Sequence, residues 1–150
     1  YHDPHRECIC SETMVKNYQQ RLSGPIMDRI DLHIPVERPT LEQLLDNSTS
    51  TMTSESMRQQ VVMATVLQQK RYKNLEFNSN GAVPHKAIGE LCHITDKAWS
   101  VLGNIFDHFH SSGRAFDRIL KVARTIADLE GNPQVEPHHI SEAMLFRTGK

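Results

Sequence analysis

The amino-acid sequence predicts a mainly α-helical protein, in which a bundle of about five helices follows a short helix and a single strand. Two observations predict the bundle. Residues 111–131 have the clearest helical period of apolar side chains in the chain, and several shorter segments after residue 40 share that period. A third observation, the alternation of apolar and polar side chains over residues 30–36, predicts the strand.

Length and composition limit the class of protein. The 150 residues suffice for one domain with its own core, and 17 basic and 18 acidic residues give a formal net charge of −1, which indicates no polyanion-binding surface. No apolar run approaches the roughly 20 residues that cross a bilayer, and no signal peptide is visible. Three cysteines do not suggest a secreted disulfide framework. We therefore expect a cytoplasmic protein that does not associate with a membrane.

Two features suggest that the chain is a piece of a longer protein. It begins with Tyr1 rather than Met. A single strand also cannot pair its own backbone groups, so the strand at 30–36 implies a sheet whose other strands lie elsewhere.

The first ten residues contain four potential zinc ligands, His2, His5, Cys8 and Cys10. Structural zinc sites need four ligands, usually in two separated pairs, whereas these four crowd together with a single cysteine pair. Half of a site completed by residues upstream is more plausible than a complete site. An unliganded polar segment is the simplest alternative.

In the first third of the chain we expect short elements. A helix over residues 12–22 ends at a Ser-Gly-Pro break, and a brief turn at 26–29 precedes the strand, in which Pro35 suits an edge or an end. Thr40 then opens a short helix with the spacing of a capping box.

Longer helices follow a polar, Ser/Thr-rich loop at residues 47–56. Ser56 repeats the capping-box spacing and opens a helix to about residue 73, a short helix covers 84–93, and Thr95 or Asp96 caps the next one. Pro137 is suited to the first position of the last helix. The helix capped at residue 95 or 96 has the apolar side chains Ala98, Trp99, Leu102, Ile105, Phe106 and Phe109. The helix opened by Pro137 has the apolar side chains Ile140, Ala143, Met144 and Phe146.

The helix of residues 111–131 is the centre of the predicted bundle, with serines suited to N-capping at 111–112 and Gly131 at its end. One side carries the apolar residues Phe116, Ile119, Leu120, Val122, Ala123, Ile126, Ala127 and Leu129. The charged residues Arg114, Asp117, Arg118, Lys121, Arg124 and Asp128 take the opposite side. Spacing of four predicts the pairs Asp117–Lys121 and Arg124–Asp128 on this side.

Two arginines are candidate anion-binding residues. Arg114 places a cation in the first turn of a helix, where it opposes the dipole and the unpaired amides, so an anion such as phosphate lying against both would explain it. Arg29 lies between a Gly-Pro break and the strand, where an arginine can reach across an interface to a phosphate. The alternatives are a solvated arginine at 114 and a surface ion pair of Arg29 with Asp28 or Asp31.

Other reactive side chains give no catalytic pattern. Serine, histidine and aspartate are present without the arrangement of a hydrolytic triad, and no phosphate loop of the Gly-x-x-x-x-Gly-Lys-Ser/Thr type occurs. Cys92, near a helix end, is most simply a buried thiol. We interpret the histidine pairs His108/His110 and His138/His139 as surface residues.

Three segments resemble one known family. They are RLSGPIMDRIDLHIPV at 21–36, SGRAFDRILKVARTIADLEG at 112–131 and HHISEAM at 138–144. Together they resemble the magnesium-chelatase-like AAA+ ATPases of the ComM/YifB type, a family associated with natural competence and DNA branch migration. The resemblance implies that residues 1–38 are the last part of an α/β ATPase core, a helix plus one strand, and that residues 39–150 are a helical lid.

The resemblance also implies roles for the two arginines. Arg29 would be an arginine finger that reaches the γ-phosphate held by a neighbouring subunit, and Arg114 would be the sensor-2 arginine that contacts the nucleotide in its own subunit. The intact protein would bind ATP and Mg²⁺ with parts that lie upstream, so we expect no cofactor and no ATPase activity in this chain alone. The partners implied are copies of the same protein in a hexameric ring, with DNA as a further candidate. Cys8 and Cys10 match only the second cysteine pair of the family, which puts a zinc site in this chain in doubt.

Two other classes of function remain open. One is a stand-alone helical module for DNA binding or protein interaction, with the basic stripe at 114–124 on phosphates, although the near-neutral charge argues against it. The other is a small zinc-binding adaptor that uses the His/Cys cluster at the N-terminus.

Overall fold

The computed structural model describes residues 8–21, 24–36, 38–45, 52–109 and 113–147. These residues are mainly α-helical, as the sequence predicts. The helices are α1 (Glu12–Gln19), α2 (Gly24–Met27), α3 (Leu41–Leu45), α4 (Ser54–Arg71), α5 (His85–Leu91), α6 (Asp96–Phe109), α7 (Gly113–Leu129) and α8 (Pro137–Leu145), with one 3-10 turn at Asn80–Ala82. No helix in this described part of the chain is long and apolar enough to span a bilayer.

Helix α7 is the centre of the bundle, because it contacts α4, α5, the 3-10 turn and α8, and α8 in turn contacts α6. The predicted apolar face of α7 is mostly in the core, where Leu120, Ala123 and Ala127 are fully buried. Leu129, predicted on the same face, is 43% exposed at the end of the helix. The buried apolar cluster comprises Tyr72, Val83, Ile88, Cys92, Ala98, Leu102, Ile119, Leu120, Ala123, Ile126, Ala127, Val135, Ile140, Ala143 and Met144.

Several predicted helix ends are confirmed. Thr95 rather than Asp96 caps α6, since its hydroxyl accepts a hydrogen bond from the Ala98 amide at 3.3 Å. Pro137 occupies the first turn of α8. Gly131 adopts a φ of +75°, the left-handed conformation with which a helix commonly ends. The serines at 111–112 and most of the predicted loop at 47–56 lie outside the described residues.

The start of α4 differs from the prediction. The helix begins three residues earlier than a helix capped by Ser56 would, and its cap is Thr53, whose hydroxyl accepts a hydrogen bond from the Ser56 amide at 3.1 Å. Ser56 is therefore inside the first turn, and the capping box predicted from Ser56 and Gln59 is wrong. A threonine three residues ahead of Ser56 offers the same chemistry, and spacing alone does not choose between the two.

The strand predicted at residues 30–36 is wrong for the described chain. These residues have no regular secondary structure, and the backbone–backbone hydrogen bond that links them to the described part of the bundle runs from the His33 amide to the Phe146 carbonyl at 2.7 Å. A strand needs a neighbouring ladder of backbone groups, and the described residues contain only an isolated bridge, between Ile94 and Val135. The apolar side chain of Val36 accordingly stays 87% exposed.

Candidate functional site

A groove of about 770 Å³ brings together the two arginines that the sequence singles out. Arg29 lines it from the segment after α2, and Arg114 lines it from the first turn of α7. Arg118 and Lys121, from the following turns of α7, also line the groove. Its apolar wall is formed by Leu32, Val122, Ile126, Leu129 and Phe146. The groove thus combines an apolar wall with four cationic side chains and three carboxylates, those of Asp31, Asp117 and Glu142.

Arg114 is a cation of the groove that has no counter-ion among the described residues. It is exposed, and it makes no ion pair or hydrogen bond with any other residue that the structure describes. The first turn of α7 contains no acidic residue that could offset its charge or the helix dipole. The guanidinium thus lies at the positive end of the helix dipole, which is a favourable environment for an anion.

Arg29 does not form the surface ion pair that was its simplest alternative. Its guanidinium donates one hydrogen bond to the Pro25 carbonyl, at 3.3 Å, and is otherwise exposed. The two neighbouring carboxylates pair with other residues: Asp31 with Arg118, and Asp28 with Arg147 at 3.6 Å. The charge of Arg29 is therefore available to a ligand or partner.

The basic stripe predicted at 114–124 is not a continuous free surface. Arg118 is paired with Asp31, and Lys121 donates to the Gly81 carbonyl at 2.9 Å. Arg124 is fully buried. The predicted pair of Asp117 with Lys121 is wrong, because Asp117 lies 2.7 Å from His85 Nδ1 instead. Among the described residues, Arg114 is the cation of this stripe that makes neither a hydrogen bond nor an ion pair, and such a stripe is a poor surface for the phosphates of a duplex, which weakens the case for a stand-alone DNA-binding module.

Arg124 and Asp128 form the predicted pair, at 3.0 Å, but they are buried and not on a solvated face. Asp128 also accepts two hydrogen bonds from Arg71, at 2.9 and 2.5 Å, and one from the Asn80 side-chain amide at 2.9 Å. The end of α4 and the 3-10 turn cover this side of α7, so its charged edge becomes interior. Burial lowers the pKa of the Arg124 guanidinium, and the Asp128 carboxylate offsets this only in part.

The sequence did not reveal this network. A period of apolar residues reports which face of a helix packs on apolar neighbours, and it misses a face that packs on ionic partners. Asn80 lies next to a glycine in what reads as an ordinary turn, so no local signal marks it as a partner of Asp128.

Glu130, His138 and His139 are a possible metal-ligand group among the described residues, because their ligand atoms lie within 4.8 Å of one another. His139 is fully buried, contrary to its interpretation as a surface residue. Its Nδ1 accepts a hydrogen bond from the Glu136 amide at 2.8 Å, so Nε2 carries the proton and donates it to the Glu130 carboxylate at 2.9 Å. A metal would need that Nε2 lone pair, so the geometry favours a helix cap over a metal site. Hydrogen bonds from His139 and His138 lower the pKa of the Glu130 carboxyl.

The cysteines divide into one buried thiol and an N-terminal pair. Cys92 is 1% exposed, as predicted, and burial raises its pKa to about 11. Cys8 and Cys10 precede α1 as free thiols. The other two ligands considered for a zinc site, His2 and His5, lie outside the described residues, so the zinc site stays a hypothesis.

Comparison with known proteins identifies the family. The profile described as magnesium chelatase, subunit ChlI C-terminal, matches residues 51–147, and that described as magnesium chelatase, subunit ChlI, matches residues 1–44. The chain is 34% identical over 149 residues to an uncharacterized protein YifB of Salmonella typhimurium, covering 98% of this chain and 28% of that protein. It is 34% identical over 137 residues to the competence protein ComM of Haemophilus influenzae, covering 91% of this chain and 26% of that protein.

A third relative is an uncharacterized protein YifB of Escherichia coli, 31% identical over 147 residues, or 98% of this chain and 28% of that protein. The chain thus spans between a quarter and a third of the length of these relatives. The profile match over 51–147 alone covers more than half of the chain and includes α4 to α8. The chain therefore belongs to the magnesium-chelatase ChlI family, among its ComM/YifB-like members.

Proposed function

We propose that this chain is the C-terminal part of a ring-forming AAA+ ATPase. Residues 1–38 would complete the ATPase core, and residues 39–150 would form its helical lid. Arg114 would contact phosphate oxygens of the nucleotide in its own subunit, and Arg29 would reach the γ-phosphate held by a neighbouring subunit. Lid movement would then couple the nucleotide state to the ring.

The observation that carries this proposal is the uncompensated charge of Arg114 at the start of α7. Its guanidinium has no counter-ion among the described residues, and the helix start adds partial positive charge from backbone amides. The two together favour a multiply charged anion, and a guanidinium can bind two phosphate oxygens at once. The guanidinium of Arg29 is also exposed and forms no ion pair with a described residue, which leaves it available to a phosphate held by a neighbouring subunit.

ATP and Mg²⁺ fit this donor set only in part. The groove supplies cations that would balance phosphate charge, but the chain contains no Gly-rich phosphate loop. We therefore assign the cradle for phosphate and Mg²⁺ to other parts of the intact protein. Arginines in these positions would stabilise the negative charge that develops on the transferred phosphate. One relative is named a competence protein, and on that basis we propose DNA processing as the process served.

The proposal is tested by replacing Arg114 with alanine in the intact parent protein. We expect steady-state ATP turnover or nucleotide affinity to fall at least about tenfold, which corresponds to about 1.4 kcal/mol. Arg58→Ala is the matched control, because Arg58 is an exposed arginine on α4, away from the groove. It should leave both quantities within about twofold.

Unchanged turnover and affinity in folded Arg114→Ala protein would contradict the nucleotide role. The interaction-module hypothesis would then become the leading one, and a salt-dependent DNA titration would test it, since phosphate contacts make affinity fall with salt. The purified 150-residue chain should hydrolyse no ATP. Measurable turnover by this chain would refute the assignment of phosphate and Mg²⁺ binding to other parts of the intact protein.

A further inference from the structure

We propose that Arg118 and Arg147 are positioning residues, which hold the segment that carries Arg29 against α7, the helix that carries Arg114, and against the end of α8. In this arrangement the two candidate phosphate-contacting arginines belong to one body. The mechanical part of the proposal concerns this chain alone. Its consequence for ATP turnover rests on the function proposed above.

The first contact of this clamp comes from α7. Arg118 lies one helical turn after Arg114 on the same side of the helix, and its guanidinium forms an ion pair with the Asp31 carboxylate. The Arg118 side chain is 25% exposed, so the pair is partly shielded by the groove and not fully solvated on the arginine side.

The second contact comes from the end of α8. Arg147 Nη1 donates a hydrogen bond to the Ile30 carbonyl at 2.6 Å, and Nη2 lies 3.6 Å from the Asp28 carboxylate. The Arg147 side chain is only 10% exposed. A guanidinium with five donors in a fixed plane can bind a carbonyl and a carboxylate together, which a lysine in this place could not do with the same geometry.

These contacts lie on both sides of Arg29. Asp28 and Ile30 are its sequence neighbours, Asp31 follows, and the His33 amide adds its hydrogen bond to the Phe146 carbonyl at 2.7 Å. The Arg29 side chain itself contacts only the Pro25 carbonyl among the described residues. The backbone is thus held while the guanidinium stays exposed, which suits a side chain that has to reach a ligand in a fixed direction.

A clamp of this kind links the two arginines. A joint movement of α7 and α8 that follows a change at Arg114 would carry residues 28–33 along, since the contacts of Arg118 to Asp31 and of Arg147 to Ile30 would otherwise break. The state of the nucleotide in one subunit would in this way set the position of the Arg29 that the same subunit offers to its neighbour.

Hydrogen exchange on the 150-residue chain tests the clamp directly. In Arg147→Gln and in Arg118→Gln, we expect the His33 amide to exchange at least about fivefold faster, while amides in the middle of α7 keep their protection. Arg58→Gln is the control and should change neither. Should Arg147→Gln unfold the chain, Asp28→Asn and Asp31→Asn remove the two ion pairs from the segment side, while the hydrogen bond from Arg147 to the Ile30 carbonyl stays. Unchanged exchange at His33 in these variants would overturn the proposal.

Turnover by the intact parent protein tests whether Arg118 acts through Arg29. We expect Arg118→Gln to lower kcat at least about threefold with nucleotide affinity within about twofold, and to have no further effect when Arg29 is already alanine. The exchange of charges in Asp31→Arg with Arg118→Asp should restore at least half of the lost kcat.

The two proposals fail in different ways. If Arg29→Ala leaves turnover unchanged, the role proposed for Arg29 is wrong, and the expected effect of the clamp on turnover falls with it. If Arg29→Ala lowers turnover but Arg118→Gln lowers it by the same factor with and without Arg29, then Arg118 does not position Arg29, and the clamp proposal is overturned while the role of Arg29 stands.

Discussion

Replacement of Asp128 by alanine is expected to be among the most destabilising single changes in α7. The Asp128 carboxylate is buried and accepts hydrogen bonds from three side chains, those of Arg71, Arg124 and Asn80. Without it, the fully buried Arg124 guanidinium loses the one carboxylate partner that it has among the described residues. Removing one member of a buried ion pair typically costs about 3–5 kcal/mol, because the remaining charge is left desolvated.

That loss is large against the stability of an ordinary domain, which is about 5–15 kcal/mol. We expect urea unfolding at neutral pH, followed by circular dichroism, to show a loss of about 3–5 kcal/mol in Asp128→Ala. In thermal unfolding the same loss corresponds to a fall in Tm of about 6–20 °C for a chain of this size.

Two further variants separate charge from other causes. Asp117→Ala also removes an aspartate of α7, but one whose partner His85 is exposed, so it should cost at most about 1 kcal/mol. Asp128→Asn keeps the size of the side chain and removes its charge, and it should retain most of the loss. The reasoning is refuted if Asp128→Ala is no more destabilising than Asp117→Ala. Recovery of full stability in Asp128→Asn would attribute the loss to the cavity rather than to the unpaired guanidinium groups.

Two other predictions concern the pH dependence of stability and the end of α7. Burial raises the pKa of Cys92 from 9.0 to about 11, so the thiolate forms at lower pH in the unfolded chain than in the folded one. The contribution of this pKa difference to the free energy of unfolding is fully present below pH 9 and is lost as the pH rises towards 11. In urea unfolding at a series of alkaline pH values, the free energy of unfolding of Cys92→Ala should fall by up to about 2.7 kcal/mol less than that of wild type across this interval. An equal fall of the free energy of unfolding in both proteins would contradict the assigned pKa. Gly131→Ala should lower the free energy of unfolding by about 1 kcal/mol, because the φ of +75° is strained for alanine. The added Cβ itself would meet no atom within 4 Å, so the strain is the cause of the loss. An unchanged free energy of unfolding would contradict this.

The positions of the main helices after residue 52 follow from local signals. Apolar period, capping side chains and breakers act within a few residues of one another, so α4 to α8 could be predicted with ends accurate to a few residues. Arg114 at the start of α7 is a local feature of the same kind, since the direction of the helix dipole and the charge of the side chain can both be predicted from the sequence. Family resemblance added the expected roles of Arg29 and Arg114, which local chemistry could suggest but not specify.

The sequence misjudged features that depend on distant partners. The alternation at 30–36 indicates a strand, but a strand exists only where another backbone segment pairs with it. Arg124 and Asp128 have the spacing of a surface pair, and only the packing of α4 and the 3-10 turn on α7 makes them interior.

The meeting of Arg29 and Arg114 on one groove was likewise decided by tertiary structure. These residues are far apart in sequence, and the contacts that bring their segments together, Arg118 with Asp31 and Arg147 with Ile30, have no local signature. The sequence by itself determined the helices and the chemistry each one offers, because those depend on neighbours along the chain. Only the tertiary structure decided which charges are buried, which are paired and which remain free, because those depend on neighbours in space.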